Sequence, residues 1–219
     1  SITECSGRCI DDKFLPIINP AMLAFKPEAR PLWEQSRSNI YKYISGELKV
    51  VKLNENQAYG IDNAVDAMKF LWDALNHDNK FVAVDCETTG LYPRDGYILG
   101  ISVSYRKDHG AYILTDIIDE VIEDLFQRLF DKKTVVFHNA KFDIAMLEYH
   151  FNFKFPKFED TMLLHYCLEE QPGTHGLKQL AIKYTPYGDY EKELHEWIDG
   201  YRKSHRILKA DFTWDSVPY

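Results

Sequence analysis

The sequence predicts an α/β domain, a mixed β-sheet flanked by helices, and three observations predict it. Two β-favouring runs, Phe81 to Leu91 (FVAVDCETTGL) and Thr134 to Asp143 (TVVFHNAKFD), each lead from apolar residues into acids. Segments whose apolar residues recur at helical spacing lie before and after them. The order of these pieces, strands, helix, strand and helix, suits a sheet covered by helices. With 219 residues and 45% hydrophobic content, the chain can build one sizeable domain with an extension.

The first fifty residues read as that extension. Pro16, Pro20, Pro27 and Pro31 break them into short pieces, and one helix is expected from Pro31 through Ile44, with Pro31 suited to a first turn. The segment either packs on the main domain or spaces it from an upstream one. Its Lys26, Arg30, Arg37 and Lys42 read as a solvated face. Residues 51–219 form the main domain. Val50, Val51 and Leu53 suggest a strand, and Val65, Met68, Leu71, Trp72 and Leu75 an amphipathic helix facing the sheet. After the strand that carries Asp85, turns at Gly90, Pro93 and Gly96 separate it from strands at Tyr97 to Tyr105 and Ala111 to Leu114, an antiparallel meander. Ile117, Ile118, Val121, Ile122, Leu125, Phe126 and Leu129 give the cleanest helix, with Asp119, Glu120, Glu123 and Asp124 on its solvated side. The Val135 strand comes next, then helices from near Phe142, from Asp160 to Glu169 and from Gly176 to Tyr184, and a charged tail to Tyr219.

A net charge of −8 argues against a broad basic groove for long duplex nucleic acid. A small site gripping a few nucleotides through metal ions stays compatible. Cys5, Cys9, Cys86 and Cys167 lack zinc-finger spacing and read as scattered reduced thiols. His175, His195 and His205 lack ligand partners at short spacing and read as surface residues. The chain shows neither a signal segment nor a run of the roughly 20 apolar residues that a membrane span needs, so a cytoplasmic protein is expected.

The chemistry lies in the acids. On a strand, residues i and i+2 share a face, so Asp85 and Glu87 project side by side. Two carboxylates that close repel each other unless a proton or a cation sits between them, and oxygen donors suit magnesium or manganese. Taken alone, D-x-E reads equally well as a solvated strand end. The second acidic strand end, leading to Asp143, favours the metal.

The motifs are specific enough to name a family. Asp85 to Thr88 (D-x-E-T) with Leu91 resembles the first motif of the DEDD 3′–5′ exonucleases, and Asn139-Ala-Lys-Phe142-Asp143 resembles the second, N-x-x-(F/Y)-D. Asp160-Thr-Met-Leu163 and Gly176-Leu-Lys-Gln-Leu-Ala181 are similar to the "DTM" and "GLxxLA" helices of proofreading domains in family A DNA polymerases, phage branch. The resemblance spans roughly Leu53 to Tyr219 and implies a ribonuclease H-like fold. It also implies two-metal hydrolysis at single-stranded or mispaired 3′ ends of DNA, with a polymerase domain in the same parent chain and, for a phage protein, the host cytoplasm as workplace. Asp85 would bridge both ions, Glu87 would hold the one that activates water, and Asp143 the second. Thr88 and Leu91 would meet the terminal nucleotide, Leu91 as a wedge, while Asn139 and Phe142 would line the site, Phe142 being equally suited to the core.

The family also needs a fourth acid, in a late Y-x-x-x-D, and here the sequence departs. Its only Y-x-x-x-D is Tyr112 to Asp116, before the second motif and on a predicted strand, and His195-x-x-x-Asp199 misses the spacing of the histidine subclass. The expectation is a domain that stops before its third motif. Three alternatives stand beside a working exonuclease: a catalytically incomplete structural or DNA-binding module, an RNA-trimming exonuclease of the same fold, and a phosphohydrolase with Asp85 as nucleophile, which Glu87 fits poorly.

Overall fold

A computed structural model describes residues 17–45, 58–185, 192–208, 212, 216 and 217. The strand expected at Val50 to Leu53, together with Cys5 and Cys9, lies outside the described residues. The chain divides into two compact units, residues 1–52 with 176–192 and residues 53–175 with 193–219. In the first unit, two single 3-10 turns lead into helix α1 (Arg30–Ile44), with a proline at its start as its sequence demands. Its Lys26, Arg30, Arg37 and Lys42 are exposed.

The second unit is built on β1 (Ala58–Ile61), α2 (Ala64–Asn76), β2 (Phe81–Thr88), β3 (Ile98–Arg106), β4 (His109–Leu114), α3 (Glu120–Lys132), β5 (Thr134–Phe137), α4 (Ala140–Phe151), β6 (Phe158–Asp160) and α5 (Thr161–Leu168). One six-stranded sheet runs β1-β4-β3-β2-β5-β6. The β2-β3-β4 meander is antiparallel as expected, while β1 joins β4, β5 joins β2 and β6 joins β5 in parallel. β2 alternates in the way its sequence requires: Val82, Val84 and Cys86 are buried, and Phe81, Ala83, Asp85 and Glu87 stand on the exposed face.

Helices α2, α3 and α4 bury their apolar stripes in the same core as Val82, Val84 and Cys86. Asp119 caps α3 by accepting the Val121 and Ile122 N–H groups, and the helix buries Ile122, Leu125, Phe126, Leu129 and Phe130. Phe126 and Phe130 pack with Phe153 and Phe155, centroids 4.9–5.7 Å apart. The α2 stripe differs from expectation. Ala67, Phe70, Leu71, Ala74 and Leu75 face the core, whereas Val65 and Trp72 are exposed. Alanines and Phe70 outrank a larger indole here because the buried strip sits one residue round the helix from the one traced through Val65 and Trp72.

Three further elements escaped the sequence reading. β1 and β6 are four and three residues long, too short for alternation to register. The charged tail contains α7 (Lys192–His205), with Leu194, Trp197, Ile198 and Tyr201 half-buried. That is helical spacing, and it was legible. α6 (Leu177–Tyr184), which belongs to the first unit, begins after Gly176 as expected. His195 and His205 are exposed. His175 is not a surface residue: it is half-buried, its Nδ1 lies 2.8 Å from that of buried His165, and its ring meets the edges of His165 and Tyr166.

Asp160 joins the elements that will carry the site. From the end of β6 its carboxylate accepts the Met162 and Leu163 N–H groups, capping α5, and also the Asn139 and Ala140 N–H groups at the start of α4. Although burial opposes it, these four donors hold its carboxyl below the usual carboxylate range. A depressed carboxyl stabilises above its unfolded value and loses that contribution as pH falls through the folded one. Asp160→Ala is therefore expected to cost about 1–2 kcal/mol for each helix start it leaves uncapped. Urea unfolding at pH 7 measures this loss, which should shrink in acid.

Candidate active site

The site forms because two neighbouring strands differ in length. β5 pairs with β2 from Phe81 to Ala83, whereas β2 continues to Thr88. Past Ala83, β2 presents backbone to the space where the chain leaves β5 and turns into α4. Asp143, in the first turn of α4, fills it. Its Oδ1 accepts the Cys86 backbone N–H at 3.1 Å and the Cys86 thiol at 3.3 Å, and the side chain is 2% exposed. A carboxylate thus stands in for a missing strand partner.

This brings Asp143 beside Asp85, 58 residues away in sequence. Asp85 lies on the exposed face of β2, yet enough protein surrounds it that burial, then the Asp143 charge, push its carboxyl up to about 6. Asp143 is likewise pushed up to about 6 by burial, against the pull of the Cys86 donors and with Asp160 adding to the rise. Cys86 is driven far upward, first by burial and then by Asp143, so its thiol stays protonated. It acts as a donor.

The remaining predicted residues surround this pair unevenly. Glu87 stands two residues beyond Asp85 on the same exposed face, at a register shift between Glu87 and Thr88. Thr88 turns its hydroxyl to the Gly90 carbonyl at 2.8 Å, closing the turn after β2. Leu91 follows and is 77% exposed. Asn139 precedes α4 in the left-handed conformation, φ 71° and ψ 50°, and its N–H reaches Asp160. Phe142 is half-buried and packs against the core.

All the acidic donors are oxygens, and the Asp85–Asp143 pair carries a repulsion that a hard divalent cation relieves, so the donor chemistry fits such an ion. Among the described residues, however, no three His, Cys, Asp or Glu side chains converge closely enough to hold one. Sequence reasoning named Asp85, Glu87 and Asp143 as candidates and Asp160 as the cap of its own helix, which the Met162 and Leu163 N–H groups bear out. It missed the donor role of Cys86 and the reach of Asp160 back to Asn139 and Ala140. Strand alternation places Cys86 in the core, and it carries no sign of the acceptor at its backbone.

Residues 60–212, more than half of the chain, match the family model described as 3′–5′ exonuclease, in its DNA polymerase A form. The chain belongs to the 3′–5′ exonuclease family of family A DNA polymerases. This exonuclease domain is 42% identical over 210 residues to the DNA polymerase of Escherichia phage T5, a match covering 92% of this chain and 24% of the relative, which supports the phage branch. It is 26% identical over 121 residues to DNA polymerase I of Borreliella burgdorferi, covering 52% of this chain and 13% of that one. The chain therefore spans about a quarter or less of the polymerases it matches. Among solved structures, the catalytic core of RRP6 from Trypanosoma brucei superposes with a TM-score of 0.51 at 20% identity, over 64% of this chain and 39% of that one. The fold is the ribonuclease H-like mixed sheet that the motifs implied.

The raised carboxyls set a pH dependence. Asp143 unfolded titrates near 3.8 and folded near 6, so the folded state holds the extra proton between those values. Stability therefore falls as pH rises through that window. In metal-free buffer, Asp143→Asn, which keeps the acceptor oxygen, is expected to be more stable than the parent at pH 7 by about 1–3 kcal/mol. That advantage should vanish below roughly pH 4, and urea unfolding at the two pH values checks it.

Proposed function

We propose that this domain removes nucleotides from single-stranded or mispaired 3′ ends of DNA, within a longer chain whose polymerase domain presents those ends. The observation that carries the reading is the meeting of Asp85 and Asp143 at the open end of β2. Family membership and the phage polymerase relative support it. Residues 51–219 carry the exonuclease and residues 1–50 an extension; the workplace is the cytoplasm, the host's for a phage protein. Among the described residues no helix is long and apolar enough to cross a membrane.

Asp85, Glu87 and Asp143 would hold two divalent ions, magnesium or manganese. When bound, such ions supply an activated water and a stabilised leaving oxygen. Asp85, which shares its strand face with Glu87 and lies beside Asp143, would be the acid common to both ions. Asp143 is oriented by Cys86, whose backbone N–H and thiol both donate to its Oδ1. Leu91 offers an apolar surface to the last base, and Thr88 keeps the turn that presents it closed. Asn139 and the half-buried Phe142 line the approach from α4. Stacking and backbone contacts of this kind hold any base, which suits a sequence-tolerant trimming site.

Two measurements test this. Calorimetric titration with manganese should show weak binding that Asp85→Ala or Glu87→Ala lowers sharply; an Asp85→Ala isotherm equal to the parent's would remove the metal site. On the full-length protein, mismatched primer ends should be degraded faster than matched ones, since an unpaired base has less stacking to lose. Equal rates in a gel assay would refute the substrate choice, and Leu91→Ala should narrow the difference.

A further inference from the structure

The one Y-x-x-x-D of this sequence, Tyr112 to Asp116, is split by the fold. Asp116 is exposed in the 3-10 turn after β4. Tyr112 goes elsewhere. Asp85 opposes Ser102 across the β2–β3 pair, and Ser102 opposes Tyr112 across β3–β4. Opposed residues of an antiparallel pair share a face, so Tyr112 stands on the face of Asp85 and Glu87. Alternation agrees, because Ala111 and Ile113 on either side of it are buried in the core.

From that position the ring leans over the neighbouring Gly100. A Cβ at residue 100 would lie 2.6 Å from the Tyr112 Oη and 2.7 Å from its Cε2. Real side chains do not approach so closely. Residue 100 is therefore glycine because the phenol takes the place of its side chain, and it is buried although it lies on the open face. Gly100 is also the residue that opposes Glu87. Since the Cβ positions of opposed residues lie about 4.5–5.5 Å apart, the hydroxyl is held within reach of a glutamate carboxylate extending from the next strand.

We propose that Tyr112 is a positioning residue for Glu87: its hydroxyl, seated over Gly100, donates to the Glu87 carboxylate and sets the direction in which that carboxylate meets a divalent ion. The inference rests on the metal-binding reading of Asp85 and Glu87 and adds a donor to it. Glu87 is exposed at a strand end and, as a long flexible side chain, loses rotamer freedom when it binds an ion. A stiff two-torsion tyrosine that holds it beforehand lowers that loss. Ligating carboxylates are commonly held by such outer hydrogen bonds.

Manganese titration and thermal melting of the parent, Tyr112→Phe, Gly100→Ala and Glu87→Ala proteins test this. Tyr112→Phe should weaken manganese binding about tenfold, with a melting temperature close to the parent's. Gly100→Ala should weaken it similarly while keeping the phenol, because the added methyl displaces the ring. Manganese should also produce a tyrosine absorbance difference in the parent that is missing from Tyr112→Phe, a signal that a purely structural role would not move. Parent-like affinity in Tyr112→Phe, with Glu87→Ala weakened, would overturn the role of Tyr112 alone. Parent-like affinity in Glu87→Ala would overturn Glu87 as a ligand, and the inference with it.

Discussion

The overhang of β2 past β5 is the constraint on which the site depends. A parallel pair that stops at Ala83 leaves the rest of β2 with one bare edge, and a buried bare edge must find acceptors. Asp143 supplies one to Cys86 from the first turn of α4. The second acidic residue thus reaches Asp85 through a backbone requirement. Had β5 run as long as β2, its own carbonyl would have taken that N–H and α4 would have started farther from Asp85.

Two carboxylates close to α4 illustrate opposite uses of one chemical group. Asp160 gathers four backbone donors and is more acidic for it, so its charge holds the starts of α4 and α5 together. Asp143 is buried with fewer donors and beside another acid, so its charge is a burden to the fold at neutral pH. The first is an anchor. The second is a cost to the fold, and the anchor holds the start of the helix that bears it.

Much of this was readable beforehand. The alternation of β2 and the antiparallel meander follow from local pattern and appeared where their residues placed them. By contrast, α3 begins only at Glu120: Ile117 and Ile118 belong to the 3-10 turn and its end, Asp119 caps the helix and Val121 is exposed. Asp85 and Glu87 were legible because two residues on one strand have a fixed relation. What escaped depends on contacts distant in sequence or on segments too short to show a period. Nothing near Cys86 reveals the acceptor 57 residues away, nothing near Asp160 reveals that it reaches back to Asn139, and β6 has three residues. His175 was misplaced for the same reason, since its partner His165 lies across a turn. α7 is different: its stripe was present and was masked by the charges around it.

The left-handed backbone at Asn139 has its own consequence. A residue with a Cβ enters that conformation at a cost of about 1–2 kcal/mol, and asparagine is among the few that accept it. The asparagine of N-x-x-F-D is thus demanded by the path of the chain out of β5 before any nucleotide is considered. An alanine scan would then report a substrate contact where it had removed a bend. Glycine, which has no side chain but accepts the bend freely, is the substitution that tells geometry from recognition.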